Sequence, residues 1–174
     1  ICKDSTLFIH FSTDYVFDGR KKNPYNENDE PNPINEYGKS KLHGENNLRK
    51  SGINYFIFRT SWVYDSKSNN FPNKIVNQAK QGKSIEVIND QFGVPNHSDF
   101  ITESTLTCLK KYYKYTTVEK NAAHGTYNLS CNGETTWFYF AKYILNGIYK
   151  NSKHQYDIHS VRSDHFKSIV KRPM

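Results

Sequence analysis

Short continuous apolar runs alternate along the chain with stretches in which apolar positions recur every three or four residues. Leu7-Phe8-Ile9-His10-Phe11 is nearly all apolar, which predicts a strand buried on both faces of a parallel sheet. It delivers Ser12 and Thr13 to its carboxyl end. Residues 19–33 are dense in Asn, Asp, Glu, Gly and Pro and predict an irregular surface loop. From 34 to 50 the spacing turns helical, through Tyr37, Lys41, Leu42, Glu45 and Leu48, and Gly52 ends the helix just beyond its last turn. Residues 53–60 predict a second buried strand, rich in aromatic and β-branched side chains, that runs into Ser61-Trp62-Val63-Tyr64.

Strand, helix, strand in that order predicts a right-handed crossover unit. The alternation continues with a helix over 70–81, carrying Phe71, Ile75, Val76 and Ala79 on one side, and a strand at 85–88. Ser98 opens another helix through Ile101, Leu106 and Leu109. A polar linker, a strand at 125–129 and a helix over 135–149 follow. The tail from 151 to 174 is too weakly patterned to place. Strands alternating with helices give an α/β fold with a mainly parallel sheet.

With 174 residues, 36% hydrophobic and 24% charged, the chain suits one domain with a core of its own or part of a larger one. The net charge of +7 comes from lysines spread along the chain. Their densest cluster, Lys110-Lys111-Tyr112-Tyr113-Lys114-Tyr115, reads as the end of an amphipathic helix, so no nucleic-acid partner is expected. A mildly basic surface also suits a diphosphate-bearing substrate. Cys2, Cys108 and Cys131 are odd in number and far apart, as for reduced thiols in a cytoplasmic protein. No apolar stretch reaches the length of a membrane span. His10, His43, His97 and His124 have no ligand spacing, so solvated or capping roles are expected and metal is not. Neither Ser12 nor Ser61 stands in a hydrolase context.

Candidate chemistry enters with Tyr37 and Lys41, which share one helix face. A phenol, with an ordinary pKa near 10, needs a neighbouring cation to exchange protons at neutral pH. Lys41 supplies one, and its three donors also suit a ribose diol. Thr13, closing the preceding strand, is placed to hold a carbonyl oxygen or the phenol in line. About one Tyr-x-x-x-Lys pair is expected by chance in such a chain. A second one, Tyr149 and Lys153, closes a helix with no hydroxyl-bearing strand before it. The upstream strand distinguishes the first pair.

Ser12-Thr13-Asp14-Tyr15-Val16-Phe17-Asp18-Gly19, Pro24-Tyr25, Pro31-Asn32-Pro33, Tyr37-Gly38-Lys39-Ser40-Lys41, Gly44-Glu45, Arg59-Thr60-Ser61-Trp62-Val63-Tyr64 and Asn89-Asp90-Gln91-Phe92-Gly93-Val94-Pro95 together resemble, in order and spacing, the dTDP-4-dehydrorhamnose reductases. These are extended short-chain dehydrogenases. Gly125-Thr126-Tyr127-Asn128-Leu129, Gly133-Glu134-Thr135-Thr136-Trp137 and Arg172-Pro173 continue the resemblance over nearly all the chain.

The resemblance implies an NAD(P)-binding Rossmann fold with parts of a smaller substrate-binding domain, NADPH or NADH as cofactor, and a nucleotide-sugar substrate. Tyr37 would be the catalytic proton donor, Lys41 its partner and a cofactor ligand, and Thr13 the residue that tunes the tyrosine and touches substrate. Ser12 joins Tyr37 and Lys41 in the implied cofactor set. Asp14 and Trp62 match positions that contact the sugar, and Asn70 and Arg172 are further substrate candidates. Trp62 also reads as a core aromatic beside Val63, and Asn70 as a helix cap. A homodimer is compatible with all of this.

One departure is large. No Gly-rich turn of the dinucleotide-binding kind occurs among the nine glycines. Residues 1–174 are therefore expected to be the catalytic and substrate-binding part of a longer enzyme, with the first βαβ cofactor half and the final segment absent, and to bind cofactor poorly alone. Two other readings stand beside the reductase. One is a nucleotide-sugar dehydratase or epimerase; such dehydratases resemble Thr-Asp-Glu at this strand end, but here Tyr15 follows Asp14. A regulatory protein of the same fold, such as the subunit that binds methionine adenosyltransferase, has no need of Thr13, Tyr37 and Lys41.

Overall fold

A computed structural model of the chain describes residues 6–151, 155–166 and 172–173. Cys2 and Lys153 lie outside them. In chain order the elements are β1 (Leu7–Thr13), α1 (Glu36–Lys50), β2 (Asn54–Thr60), β3 (Val63–Tyr64), α2 (Phe71–Lys80), β4 (Ile85–Ile88), β5 (Phe92–Gly93), β6 (Asn96–His97), α3 (Ser98–Tyr112), α4 (Thr117–Ala123), β7 (Gly125–Asn128), β8 (Thr135–Thr136), α5 (Trp137–Tyr149) and β9 (Ile158–Val161). Short 3-10 turns occupy Asp14–Val16 and Ser163–His165.

The chain divides into two compact units. The first holds residues 6–61, 99–130 and 172–173. Its sheet is fully parallel, in the order β1-β2-β7. Thr13 stands opposite Thr60 at the carboxyl end. β2 is the central strand, and its Phe56, Ile57 and Phe58 are buried, as its continuous apolar sequence requires. Phe56 and Phe58 pack with Tyr112 of α3, flanked by Leu7, Ile9 and Cys108. The crossover helix α1 starts where the Asn35 side chain accepts the Gly38 N–H at 2.8 Å, a cap of a kind worth about 1 kcal/mol. It stops at Ser51, and Gly52 takes the left-handed backbone (φ 74°) expected of the residue beyond the last turn.

Gly38 has a different reason to be glycine. A Cβ there would lie 2.1 Å from the Tyr15 carbonyl oxygen, so the first turn of α1 rests directly on the backbone of the 3-10 turn after β1.

The second unit holds residues 62–98, 131–151 and 155–166. It is built of small two-stranded pieces: β3 with β6 and β4 with β9 in parallel, and β5 with β8 antiparallel. Its core joins Ile75 and Ala79 of α2, Ile85 and Val87 of β4, and Ala141 and Leu145 of α5.

Several elements differ from expectation: the short strands β3, β5, β6 and β8 are additions, and because β8 pairs Thr135–Thr136 with β5, the helix expected over 135–149 begins only at Trp137. The tail contains β9, which the four-residue run Ile158–Val161 forms by pairing with β4. The polar linker contains α4, a helix with no buried residue. Its capping box, Thr116 with Glu119, supplies the local stabilisation. Cys108 and Cys131 form no disulfide, and no helix of the described residues is long and apolar enough to cross a membrane.

Candidate active site

In the first unit the predicted residues gather where β1 ends and α1 begins. Thr13 is 6% exposed. Its hydroxyl donates to Asp14 Oδ1 at 3.0 Å and accepts the Tyr15 N–H at 3.2 Å, so it caps the 3-10 turn and is fixed in place. Protein packed around the Asp14 carboxyl on most sides pushes its pKa up to about 6, against the opposing hydrogen bonds from Thr13, its own N–H and Tyr15. Part of its surface still reaches solvent.

Tyr37 projects from the first turn of α1 and is 56% exposed. Its ring meets that of Tyr15 edge to face, with centroids 5.8 Å apart. Burial raises the Tyr15 phenol above its ordinary range; Arg172 opposes the shift, while Asp14 and Tyr37 add to it. Arg172 therefore lies within electrostatic reach of this cluster. One turn on, Lys41 Nζ donates to the Phe11 carbonyl at 2.5 Å. That bond occupies one of three ammonium protons and holds the cation at the carboxyl end of β1.

Ser12 is placed differently from its neighbours. It is buried and gives its hydroxyl proton to Glu45 Oε1 at 2.5 Å. Glu45, fully buried on α1 two turns beyond Tyr37, also accepts from Arg59 Nε at 3.0 Å and Nη2 at 2.7 Å, and from Arg49 Nη2 at 2.8 Å. Burial pushes this carboxyl up, but the bonds from Arg59 and Ser12, the Arg59 charge and Arg49 outweigh it and leave it below its ordinary range. The Arg59 guanidinium also lies 4.9 Å from the Phe17 ring centroid. Ser12 can thus serve a cofactor only through its lone pairs or backbone.

Sequence reasoning missed this cluster, and it missed Thr60. The Thr60 hydroxyl, beside Thr13 in register, is buried with no hydrogen-bond partner. An orphan of this kind at the carboxyl end of a parallel sheet fits a bound group there. With the exposed Tyr37 and the two remaining Lys41 protons, it makes the residues present compatible with a nicotinamide nucleoside. His10, expected to be solvated or capping, is partly buried on β1 with an unpartnered Nε2 facing Gly44. Burial, then Lys41, lowers its pKa, against the pull of Glu45. A cavity of about 350 Å³ lies between the 27–31 loop and α1, lined by Leu42, Asn46, Arg49 and Thr126 among others. None of the predicted site residues lines it. Among the described residues no group of three or more His, Cys, Asp or Glu could hold a metal.

Trp62 and Asn70 belong to the second unit. Trp62 is partly buried and stacks on Trp137, with centroids 3.5 Å apart and planes at 11°. Among the described residues it alone, glycines aside, has a left-handed backbone, with φ 43°, a conformation that costs on the order of 1–3 kcal/mol. Asn70 is a cap: its side chain accepts the Asn73 N–H at 3.3 Å and donates to the Asp65 carbonyl at 2.7 Å.

A parallel sheet whose carboxyl end presents a threonine, and a crossover helix that presents Tyr and Lys one turn apart, define the short-chain dehydrogenase class of α/β proteins. The RmlD substrate binding domain family matches residues 2–174, and the chain belongs to it, the family of the dTDP-4-dehydrorhamnose reductases. The dTDP-4-dehydrorhamnose reductase of Sinorhizobium fredii is 35% identical over 95% of this chain and 55% of its own length. That of Escherichia coli K12 is 39% identical over 79% of this chain and 44% of its own. The chain spans about half the length of these relatives.

Among solved structures, a dTDP-4-dehydrorhamnose reductase from Clostridium acetobutylicum superposes with a TM-score of 0.81 at 33% identity, over 95% of this chain and 54% of that one. The reductase of Bacillus anthracis, solved in complex with NADP, gives 0.75 at 32% identity, with the same coverage of both chains. The UDP-N-acetylglucosamine 4-epimerase of Bacillus cereus, at 23% identity and a TM-score of 0.69, shares the fold.

Proposed function

We infer that the protein carrying this chain reduces the 4-keto group of dTDP-4-dehydro-L-rhamnose to give dTDP-L-rhamnose, with NADPH or NADH, in the cytoplasm. The observation that carries the reading is the placement of Tyr37 and Lys41 on one face of α1, beside the end of β1 where Thr13 is fixed. A bound reduced nicotinamide supplies the hydride. Tyr37 donates its phenolic proton to the ketone oxygen, which becomes the 4-hydroxyl. Lys41 holds positive charge near the phenol, easing loss of that proton, and offers its free N–H groups to the cofactor ribose. Thr13 orients the phenol through its remaining lone pair, or the ketone oxygen once its proton leaves Asp14.

Trp62 and Asp14 contact the sugar nucleotide, with Arg172 and Asn70 as further contacts. Residues 1–174 act as the catalytic and substrate-binding part. The cofactor diphosphate is held by residues outside them, since no Gly-rich turn occurs here. The test is to follow NAD(P)H oxidation by the full-length protein with a panel of 4-keto sugar nucleotides. Turnover with dTDP-4-dehydrorhamnose supports the reading; no turnover with any 4-keto sugar nucleotide overturns it.

A further inference from the structure

We propose that Gly93 and Trp137 clamp the Trp62 indole in a fixed orientation, which, given the function inferred above, makes Gly93 a positioning residue for the sugar-nucleotide contact. A Cβ at Gly93 would fall 2.4 Å from Trp62 Cε2 and 2.7 Å from both Cζ2 and Nε1. Those are ring atoms of a side chain already stacked on Trp137, so they have little room to give way. Gly93 does not adopt the left-handed backbone. The need for glycine is space against the indole.

Both halves of the clamp come from one ribbon. Gly93 of β5 pairs with Thr135 of β8, and Phe92 with Thr136. Trp137 is the next residue, the first of α5. Thr136 fixes that junction, since its hydroxyl donates to Asn89 at 2.7 Å and accepts the Tyr139 N–H at 3.3 Å. Phe71 backs Trp137 at 4.5 Å between centroids. The Trp62 carbonyl accepts the Asn96 N–H at 3.2 Å, so its backbone is tied down as its ring is. The clamp holds Trp62 in its strained conformation before any ligand arrives, and a preorganised contact spares the ligand the cost of ordering it.

The chain's two tryptophans are the stacked pair. Stacked indoles couple their transitions and give a split band in circular dichroism. In full-length protein, Gly93→Ala is expected to remove that band from the spectrum while helix dichroism is retained. It is also expected to raise KM for the sugar nucleotide on the order of ten-fold, with smaller changes in kcat and in KM for the nicotinamide. In a Trp62→Phe background the same Gly93→Ala change is expected to be nearly silent, because the ring atoms it strikes are gone. Trp137→Leu, which leaves Gly93 alone, is expected to raise the same KM. A split band that persists in Gly93→Ala, or a Gly93→Ala penalty undiminished by Trp62→Phe, overturns the clamp. Absence of wild-type turnover overturns the substrate reading, and the dichroism still decides the clamp.

Discussion

Ser12 at the end of β1 donates to Glu45 on α1, a pair separated by 33 positions in the chain and by 2.5 Å in the fold. Arg59 of β2 closes the same carboxylate from the other side with two bonds. One buried charge thereby ties β1 and β2 to the helix that carries Tyr37 and Lys41. Gly38 seats the first turn of that helix on Tyr15. The rotation of α1, and with it the direction of Tyr37, is set by contacts that take no part in proton transfer.

Removing Glu45 leaves Arg59 buried without its counter-charge. Glu45→Ala is expected to lower stability by roughly 3–5 kcal/mol, read from urea unfolding. The folded-state pKa of Glu45 lies below its ordinary 4.5. Its contribution is therefore full above that value and is lost as pH falls through the lower folded-state one. The gap between wild type and variant should be wide at neutral pH and close in acid.

Tyr37→Phe removes only a hydroxyl from a ring that is more than half exposed. Thermal stability is expected to stay within about 0.5 kcal/mol of wild type, while turnover falls by about 10²-fold or more, the range for losing a general acid. Wild-type turnover in this variant would remove Tyr37 from the role of proton donor.

Lys41→Met keeps the length of the side chain and deletes the ammonium that rests on the Phe11 carbonyl. Its main expected effect is weaker use of the nicotinamide, seen as a higher KM for NAD(P)H together with a slower rate. Unchanged nicotinamide affinity and rate would count against the role given to Lys41.

Asp14 has the opposite sign from Glu45. Its folded-state pKa is about 6 against an ordinary 3.8. The folded protein thus holds this proton more tightly than the unfolded chain, and stability falls as pH rises through that interval. Asp14→Asn should match wild type near pH 3, grow steadily more stable relative to it up to about pH 6, and keep a constant advantage above that. Unfolding midpoints measured across the range give the profile.

The strands and helices with strong apolar patterns were legible in the sequence, down to the Gly52 stop of α1 and the Asn70 cap of α2. What escaped had no local signal. β9 is four residues, only partly buried, and exists through its pairing with β4. α4 is capped but has no apolar stripe. Thr13, Tyr37 and Lys41 stood out because one strand end and one helical turn place them. Nothing in the sequence reveals that Ser12, next to Thr13, turns its hydroxyl to Glu45. The Trp62 and Gly93 contact likewise spans 31 residues of chain, and only the folded second unit brings the pair together.

Exposure of Tyr37 has an evolutionary corollary. Because α1 is anchored through Gly38, Glu45 and Lys41, and the Tyr37 ring alone meets Tyr15, the fold makes little demand on the hydroxyl at position 37. On the role proposed for Tyr37, a single change to Phe would remove the proton donor at little cost to the fold, so a relative that no longer catalyses could arise without first losing stability.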